Sequence, residues 1–185
     1  MDLRFVSSNR NKFHEVQDLL RPLGFRVRWT RRELPEPQAD RLEPVVRSKL
    51  AALPPDGRTY LVEDSGLFLE GLDGFPGVYS AYVYRTIGLA GILRLLEGRP
   101  RGAVFRTVAG VRRGPSTWWV AGVSRGEIAP GPRGKGGFGY DPIFIPSGGR
   151  HTFAQMRIAE KNLSSHRGRA IRKAGARLLH DVARA

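Results

Sequence analysis

Apolar and polar residues alternate over Leu3-Arg4-Phe5-Val6-Ser7, the period of a half-buried strand, and Ser8-Asn9-Arg10-Asn11 ends the run. From Lys12 the spacing becomes helical, with Phe13, Val16, Leu19, Leu20 and Leu23 on one face and Gly24 as a stop. Phe25 to Trp29 reads as a second strand, and Pro35 and Pro37 hold the segment after it extended. Leu42, Val45, Val46, Leu50 and Leu53 predict a second helix. Thr59 to Val62 is strand-like and runs into Glu63-Asp64-Ser65-Gly66, read as the end of that strand, before Leu67-Phe68-Leu69 resumes the apolar pattern. Ala81 to Leu96 has helical periodicity interrupted near Gly88 and Gly91. Val104–Val111 and Thr117–Val123 pair as a hairpin through Arg112-Arg113-Gly114-Pro115. Gly131 to Gly139 is glycine-dense, Pro142 to Ile145 is extended, and Ile171 to Val182 is a basic helix. Strands and helices alternate without repeats or a long linker, which predicts one α/β domain over residues 1–185, a mixed sheet with flanking helices.

Composition narrows what such a domain does. With 41% hydrophobic and 26% charged residues the chain can bury a core. No run approaches the roughly 18 apolar residues of a membrane span, and the first residues lack the basic-then-apolar pattern of a signal peptide. The expectation is a cytoplasmic protein without membrane attachment. There is no cysteine, which excludes thiolate catalysis and cysteine-bound zinc, and the four histidines are scattered, so a metal here is held mainly by oxygen. Lys and Arg number 31 against 17 Asp and Glu, a net charge of +14, and 26 of the 31 are arginine. Such a charge fits nucleic acid, a phosphorylated small molecule, or solvated surface.

The acids stand out against that background. Adjacent side chains on a strand point to opposite faces, so Glu63 and Asp64 cannot both turn away from the core, and one of them faces a cleft. Asp64 there suits Mg²⁺ or a water; a strand-end turn with Glu63 in solvent is the simpler alternative. A second acidic group, Glu33, Glu36, Asp40 and Glu43, adds candidate ligands. Ser7-Ser8-Asn9-Arg10-Asn11-Lys12, entering a helix, offers hydroxyls, amides, a cation and free N–H groups to a polyphosphate, although capping by Ser8 or Asn9 explains the same residues. No Walker A loop occurs. Gly134-Lys135-Gly136-Gly137-Phe138-Gly139 matches G-x-G-x-x-G, but a dinucleotide fingerprint must open a long helix, and here Tyr140-Asp141-Pro142-Ile143-Phe144-Ile145-Pro146 is extended and closed by proline. Glycines beside Phe138 and Tyr140 instead fit backbone brought close to a flat ligand. Lys161, His166 and Arg167 supply donors near the last helix, where Arg167, Arg169, Arg172, Lys173 and Arg177 also form a basic run that nucleic acid could use.

Together these segments resemble the inosine triphosphate pyrophosphatase family. The resemblance is carried by Ser8-Asn9-Arg10-Asn11-Lys12, Leu34-Pro35-Glu36-Pro37-Gln38, Val62-Glu63-Asp64-Ser65-Gly66-Leu67, Gly74-Phe75-Pro76-Gly77-Val78-Tyr79-Ser80, Gly137-Phe138-Gly139-Tyr140-Asp141-Pro142-Ile143-Phe144 and Glu160-Lys161-Asn162-Leu163-Ser164-Ser165-His166-Arg167-Gly168. It implies an elongated α/β fold of two lobes around a nucleotide cleft, a homodimer, and Mg²⁺-dependent hydrolysis of ITP, dITP and XTP to the monophosphate and pyrophosphate. By the same resemblance Ser8, Asn9 and Lys12 hold the triphosphate, Glu36 and Asp64 bind metal, and Asp64 with Glu63 activates water. Ser65 contacts substrate, Phe138 to Asp141 (with Gly139 and Tyr140) frame the base, and Lys161, His166 and Arg167 complete the pocket. A phosphate-contacting lysine on the second helix falls to either Lys49 or Arg47. Two other readings stay open: a nucleotide pyrophosphatase of different base preference, and a nucleic-acid-binding protein without catalysis.

Overall fold

The computed structural model describes residues 1–183. Seven strands form one mixed sheet: β1 (Asp2–Val6), β2 (Arg26–Thr30), β3 (Thr59–Leu69), β4 (Pro76–Gly77), β5 (Gly102–Arg113), β6 (Ser116–Ile128) and β7 (Phe144–Pro146). The strand order is β2-β1-β3-β5-β6-β7, with β4 paired to β3 off that path. β1 is parallel to β2 and to β3, whereas β3, β5, β6 and β7 are successively antiparallel. Six helices flank the sheet: α1 (Arg10–Leu20), α2 (Leu42–Ala51), α3 (Ser80–Thr86), α4 (Gly88–Leu95), α5 (Ile158–Ser164) and α6 (His166–Ala183).

β3, β5 and β6 are 11, 12 and 13 residues long, and this length lets one sheet serve separate cores at its two ends. At one end, Leu3, Phe5, Leu61 and Val111 pack under α1 and α6, and Val6, Val62 and Val108 pack under α2 on the other face. At the far end Leu67, Leu69, Phe105 and Phe144 meet Val83, Ile92 and Phe153. The two-lobed, mixed α/β expectation therefore holds, with the lobes joined through the middle of the three long strands.

That middle lies at Ser65, Thr107 and Gly122, aligned across β3, β5 and β6. Here α6 approaches closely: a Cβ on Gly122 would lie 2.1 Å from the His166 carbonyl oxygen, so only glycine lets the helix start against the sheet. The helix break near Gly88 is present, where φ is +62° between α3 and α4.

Three elements differ from the sequence reading. β3 does not end at Glu63; it continues through Gly66 to Leu69, with Ser65 paired to Thr107 and Gly66 to Arg106. The last helix begins at His166 rather than Ile171, and α5 precedes it. Polar donors at 161–169 hid both helices, because their buried faces carry ion-paired side chains in place of apolar ones.

Candidate active site

The loop after β1 is set by its own side chains. Ser7 Oγ accepts from the Asn9 N–H (3.1 Å), and Asn9 Oδ1 caps α1 by accepting from the N–H groups of Asn11 (2.9 Å) and Lys12 (3.2 Å). The capping alternative is thus realised, and those two N–H groups are already engaged. Trp29 Nε1 donates to the Ser7 carbonyl oxygen (2.8 Å), which pins the loop to β2. Ser8 is exposed, and Arg10 turns along the helix to His14 (3.2 Å). Asn9, Asn11 and Lys12 face a cavity of about 500 Å³; Ser7, Ser8 and Arg10 do not line it.

β3 crosses the floor beneath. Strand alternation sends Glu63 and Asp64 to opposite faces, and a lysine meets each. Glu63 is held by Lys12 Nζ (2.5 Å), with Arg167 Nε at 3.6 Å, and Ser65 Oγ donates to its Oε2 (2.5 Å). Burial raises its pKa, but Lys12 and Arg167 outweigh that and hold it far below the usual range. Since the Ser65 proton goes to Glu63, Ser65 accepts from Thr107 Oγ1 (2.6 Å) and from Arg167 Nη2 (3.3 Å). On the other face Lys49 Nζ donates to Asp64 Oδ1 (2.7 Å) and the Glu63 carbonyl oxygen (3.3 Å), and lies 2.7 Å from Glu36 Oε1. Burial raises the Asp64 pKa against the pull of Lys49. Leu34 anchors the 31–41 loop on the apolar core, and this carries Glu36 over Lys49. Between the two second-helix candidates, Lys49 joins the site; Arg47 stacks instead on exposed Trp119, 5.5 Å from the ring centroid.

Glu36 and Asp64 converge from separate segments on one cation, and that cluster carries one more carboxylate than ammonium. Among the described residues no group of three or more His, Cys, Asp or Glu side chains is placed to hold a metal. Mg²⁺ needs only one or two carboxylates where substrate phosphates complete its shell. Two carboxylates that share one ammonium could take part in holding a divalent cation whose shell a phosphorylated substrate completes.

The cavity is also lined by Phe138, Gly139, Tyr140, Asp141, His166 and Arg167. No long helix follows the glycine-dense segment, so it is not a dinucleotide fingerprint. Gly137 (φ +67°) lets the chain fold back until Asp141 Oδ2 accepts from the Phe138 N–H (2.8 Å); a Cβ on Gly137 would sit 2.1 Å from that oxygen. Tyr140 donates to the Ser80 carbonyl oxygen (2.9 Å), tying this loop to α3. Lys161 and Arg167 lie over the Phe138 ring at 5.1 and 5.3 Å. His166 stacks on Phe105 (4.3 Å, 10°); burial, then the nearby Arg167 and Lys161, push its pKa well below the ordinary value and keep it neutral, with Nδ1 unpartnered.

One residue that the sequence did not single out organises this end. Glu15, buried on α1, accepts from Lys161 Nζ (2.6 Å) and Arg167 Nη1 (2.6 Å), and Lys161 also reaches Asp141 (2.6 Å). Glu15 stands four residues before Leu19 on the buried face of α1, a position where an acid needs a partner; that was its only sequence signal. Burial raises its pKa, but Arg167 and Lys161 together lower it below the ordinary value. The remaining basic run is used internally: Arg169 and Lys173 donate to β6 carbonyls, Arg172 to the carbonyls of Asn162 and Leu163, and Arg177 lies over Trp118.

Replacing Glu15 by Gln leaves two buried cations short of their carboxylate and should cost about 3–5 kcal/mol at neutral pH. Because the folded-state pKa of Glu15 is depressed, its contribution is complete above the ordinary glutamate range and is lost as pH falls below it. Denaturant titrations of both proteins across pH should show the gap closing toward acid; a gap independent of pH would contradict this role.

Comparisons with known proteins show the family to which the chain belongs. A family model described as the Ham1 family matches residues 3–176. A Pyrococcus horikoshii protein named dITP/XTP pyrophosphatase is 48% identical over 176 residues, covering 93% of this chain and 94% of the relative. A Thermococcus kodakarensis protein of the same name is 51% identical, covering 94% and 95%. Among solved structures, a HAM1 protein from Coxiella burnetii superposes with a TM-score of 0.83 at 31% identity over 97% of this chain and 99% of the other. The Staphylococcus aureus Ham1 protein gives 0.80 at 27% identity, covering 96% and 99%. With a family model across nearly all of its length and relatives at about half identity, the chain belongs to the Ham1 family.

Proposed function

We propose that this chain, acting as one domain over residues 1–185, hydrolyses non-standard purine nucleoside triphosphates (dITP, XTP and ITP) to the monophosphate and pyrophosphate. The observation that carries the reading is a single cavity lined by Lys12, two asparagines, Arg167 and the Phe138 ring, with Glu63 buried behind Lys12 and Asp64 on the other face of the same strand. Relatives named dITP/XTP pyrophosphatase share about half of the sequence. Lys12, Asn9 and Asn11 would meet the phosphates, with Ser7, Ser8 and Arg10 shaping the loop. Glu36 and Asp64 would hold Mg²⁺, which when bound offsets charge on the triphosphate and on departing pyrophosphate.

Asp64, whose carboxyl is held, among the described residues, by Lys49 alone, would orient the water that attacks the α-phosphorus. Glu63, ion-paired with Lys12 and Arg167 and accepting from Ser65, would serve as the fixed counter-ion of those groups rather than the base. The base would lie on Phe138. Glu15 and Ser65 engage two of the five N–H groups of Arg167 and Nε faces Glu63, so the remaining Nη hydrogens would be the ones to meet a 6-oxo acceptor. Adenine presents a 6-amino donor to the same donor, a mismatch costing about 1–3 kcal/mol. Neutral His166, Lys161, Tyr140, Asp141 and Gly139 would complete the base end.

A homodimer in the cytoplasm belongs to the same proposal. Phe75, Tyr79, Tyr82 and Ile87 are exposed around α3, an aromatic surface that a second copy would cover. No described helix is long and apolar enough to cross a membrane. The proposed reaction calls for no nucleic acid, and Arg169, Arg172 and Lys173 of the basic run near the C-terminus donate to backbone carbonyls.

The reading is tested by incubating the protein with Mg²⁺ and a panel of triphosphates. Pyrophosphate should appear first, from dITP, XTP and ITP in preference to ATP; orthophosphate first would overturn it. Asp64→Asn should lose at least about 100-fold in kcat while remaining folded, in line with removal of a group that assists proton transfer. Sedimentation should give twice the chain mass, and Tyr82→Glu should give the monomer; a wild-type monomer at all concentrations would remove the dimer.

A further inference from the structure

Most of the charge in and beside the cavity is already paired within the protein. On one side of β3, Lys12, Lys161 and Arg167 are matched by Glu15, Glu63 and Asp141, three cations against three carboxylates. On the other side Lys49 faces both Glu36 and Asp64, which leaves that cluster negative by one. A triphosphate entering this site therefore meets groups that are paired with protein carboxylates before it arrives, and apart from a metal ion it gains little net attraction from them.

One cation on the cavity wall is different. Arg85 lies in the last turn of α3 and is the single charged residue of that helix. Ser80, Ala81, Tyr84 and Arg85, spaced i, i+1, i+4 and i+5, form one face of α3 and line the same cavity as Asn9, Asn11 and Lys12. Val83 turns instead into the core. α3 belongs to the far lobe, so Arg85 comes from the wall opposite the loop after β1. Its guanidinium is exposed and makes no ion pair or side-chain hydrogen bond with any described residue. Tyr140, bonded to the Ser80 carbonyl oxygen, fixes the start of the helix that carries it.

We propose that Arg85 is a substrate-binding residue that clamps the polyphosphate chain from the far lobe, the one wall cation whose charge is not already matched within the protein. The inference rests on the triphosphate reading above. A guanidinium suits the role because its forked donors can span two phosphate oxygens, and the lobe that bears it is separate from the one that bears Lys12. Substrate would thus be gripped between the lobes, with Lys12, Asn9 and Asn11 on one side and Arg85 on the other.

The test compares wild type, Arg85→Ala, Arg85→Lys and a control at the hairpin turn, Arg113→Ala, by steady-state hydrolysis of dITP in Mg²⁺ at several KCl concentrations, with thermal melts of each. Arg85→Ala should raise KM about tenfold or more, the loss of one charge-assisted hydrogen bond. It should also flatten the rise of KM with KCl, leave the melting temperature unchanged, and be partly rescued by Arg85→Lys. Arg113→Ala should match wild type in every respect. If wild type turns over dITP and Arg85→Ala keeps the same KM and salt dependence, the clamp is wrong and the activity stands. If wild type turns over none of dITP, XTP or ITP, the activity and the clamp fall together.

Discussion

The arrangement of the site depends on Glu15. This one carboxylate on the first helix is shared by Lys161 and Arg167, residues 146 and 152 positions away in sequence, and through Lys161 it is linked to Asp141. Four segments, α1, the turn at 137–141, α5 and the start of α6, are thereby joined by ionic bonds with no bulk water between them. Buried ion pairs of this kind contribute little net stability compared with a well-packed apolar replacement, because desolvation offsets most of the attraction. They do fix geometry, since no member can move without stranding a charge. The network sets the direction of the Arg167 guanidinium to within hydrogen-bond tolerance before any ligand binds, which is what discrimination between a 6-oxo and a 6-amino purine requires.

The second constraint is the alternation of a β-strand. Because β3 continues through Glu63, Asp64 and Ser65 instead of ending there, the two carboxylates are forced to opposite faces, and each face supplies its own lysine. The result divides the proposed chemistry. Asp64, Lys49 and Glu36 form a cluster with excess negative charge and a raised Asp64 pKa, suited to a divalent cation. Glu63, Ser65, Thr107 and Arg167 form a hydrogen-bonded chain buried in the protein. A strand is a better platform for this than a loop, since its pairing with β5 across its whole length leaves no slack in residue register.

Much of this was legible in the chain. The β1 loop, the acidic pair at 63 and 64, the glycine-aromatic segment at 137–140 and the donors at 161–167 were all marked by residues that simple packing does not explain. What escaped was whatever depends on partners distant in sequence. Glu15 was not singled out because its two cations lie beyond residue 160. β3 looked finished at Glu63 because acids inside a strand are tolerated only when lysines from α1 and α2 meet them. α5 and the start of α6 were hidden because Lys161 and Arg167 occupy positions that an unpaired cation could not. Thr107 gave no signal, being one more β-branched residue in a strand. The arginine excess pointed least clearly of all: nine described ion pairs engage only six of the 31 cations, and the helical run once compatible with nucleic acid caps backbone carbonyls.

A preorganised guanidinium and a merely positive charge at position 167 are separable by experiment. Arg167→Lys keeps the charge that Glu15 and Glu63 require but removes the planar fork. The direct measurement is the ratio of kcat/KM for dITP to that for dATP in the wild type and in this variant, with thermal melts to confirm that both are folded. A discriminating fork predicts that the ratio falls by about tenfold or more while the protein stays folded. An unchanged ratio would show that the buried network does not set base choice, and would contradict the account at its centre.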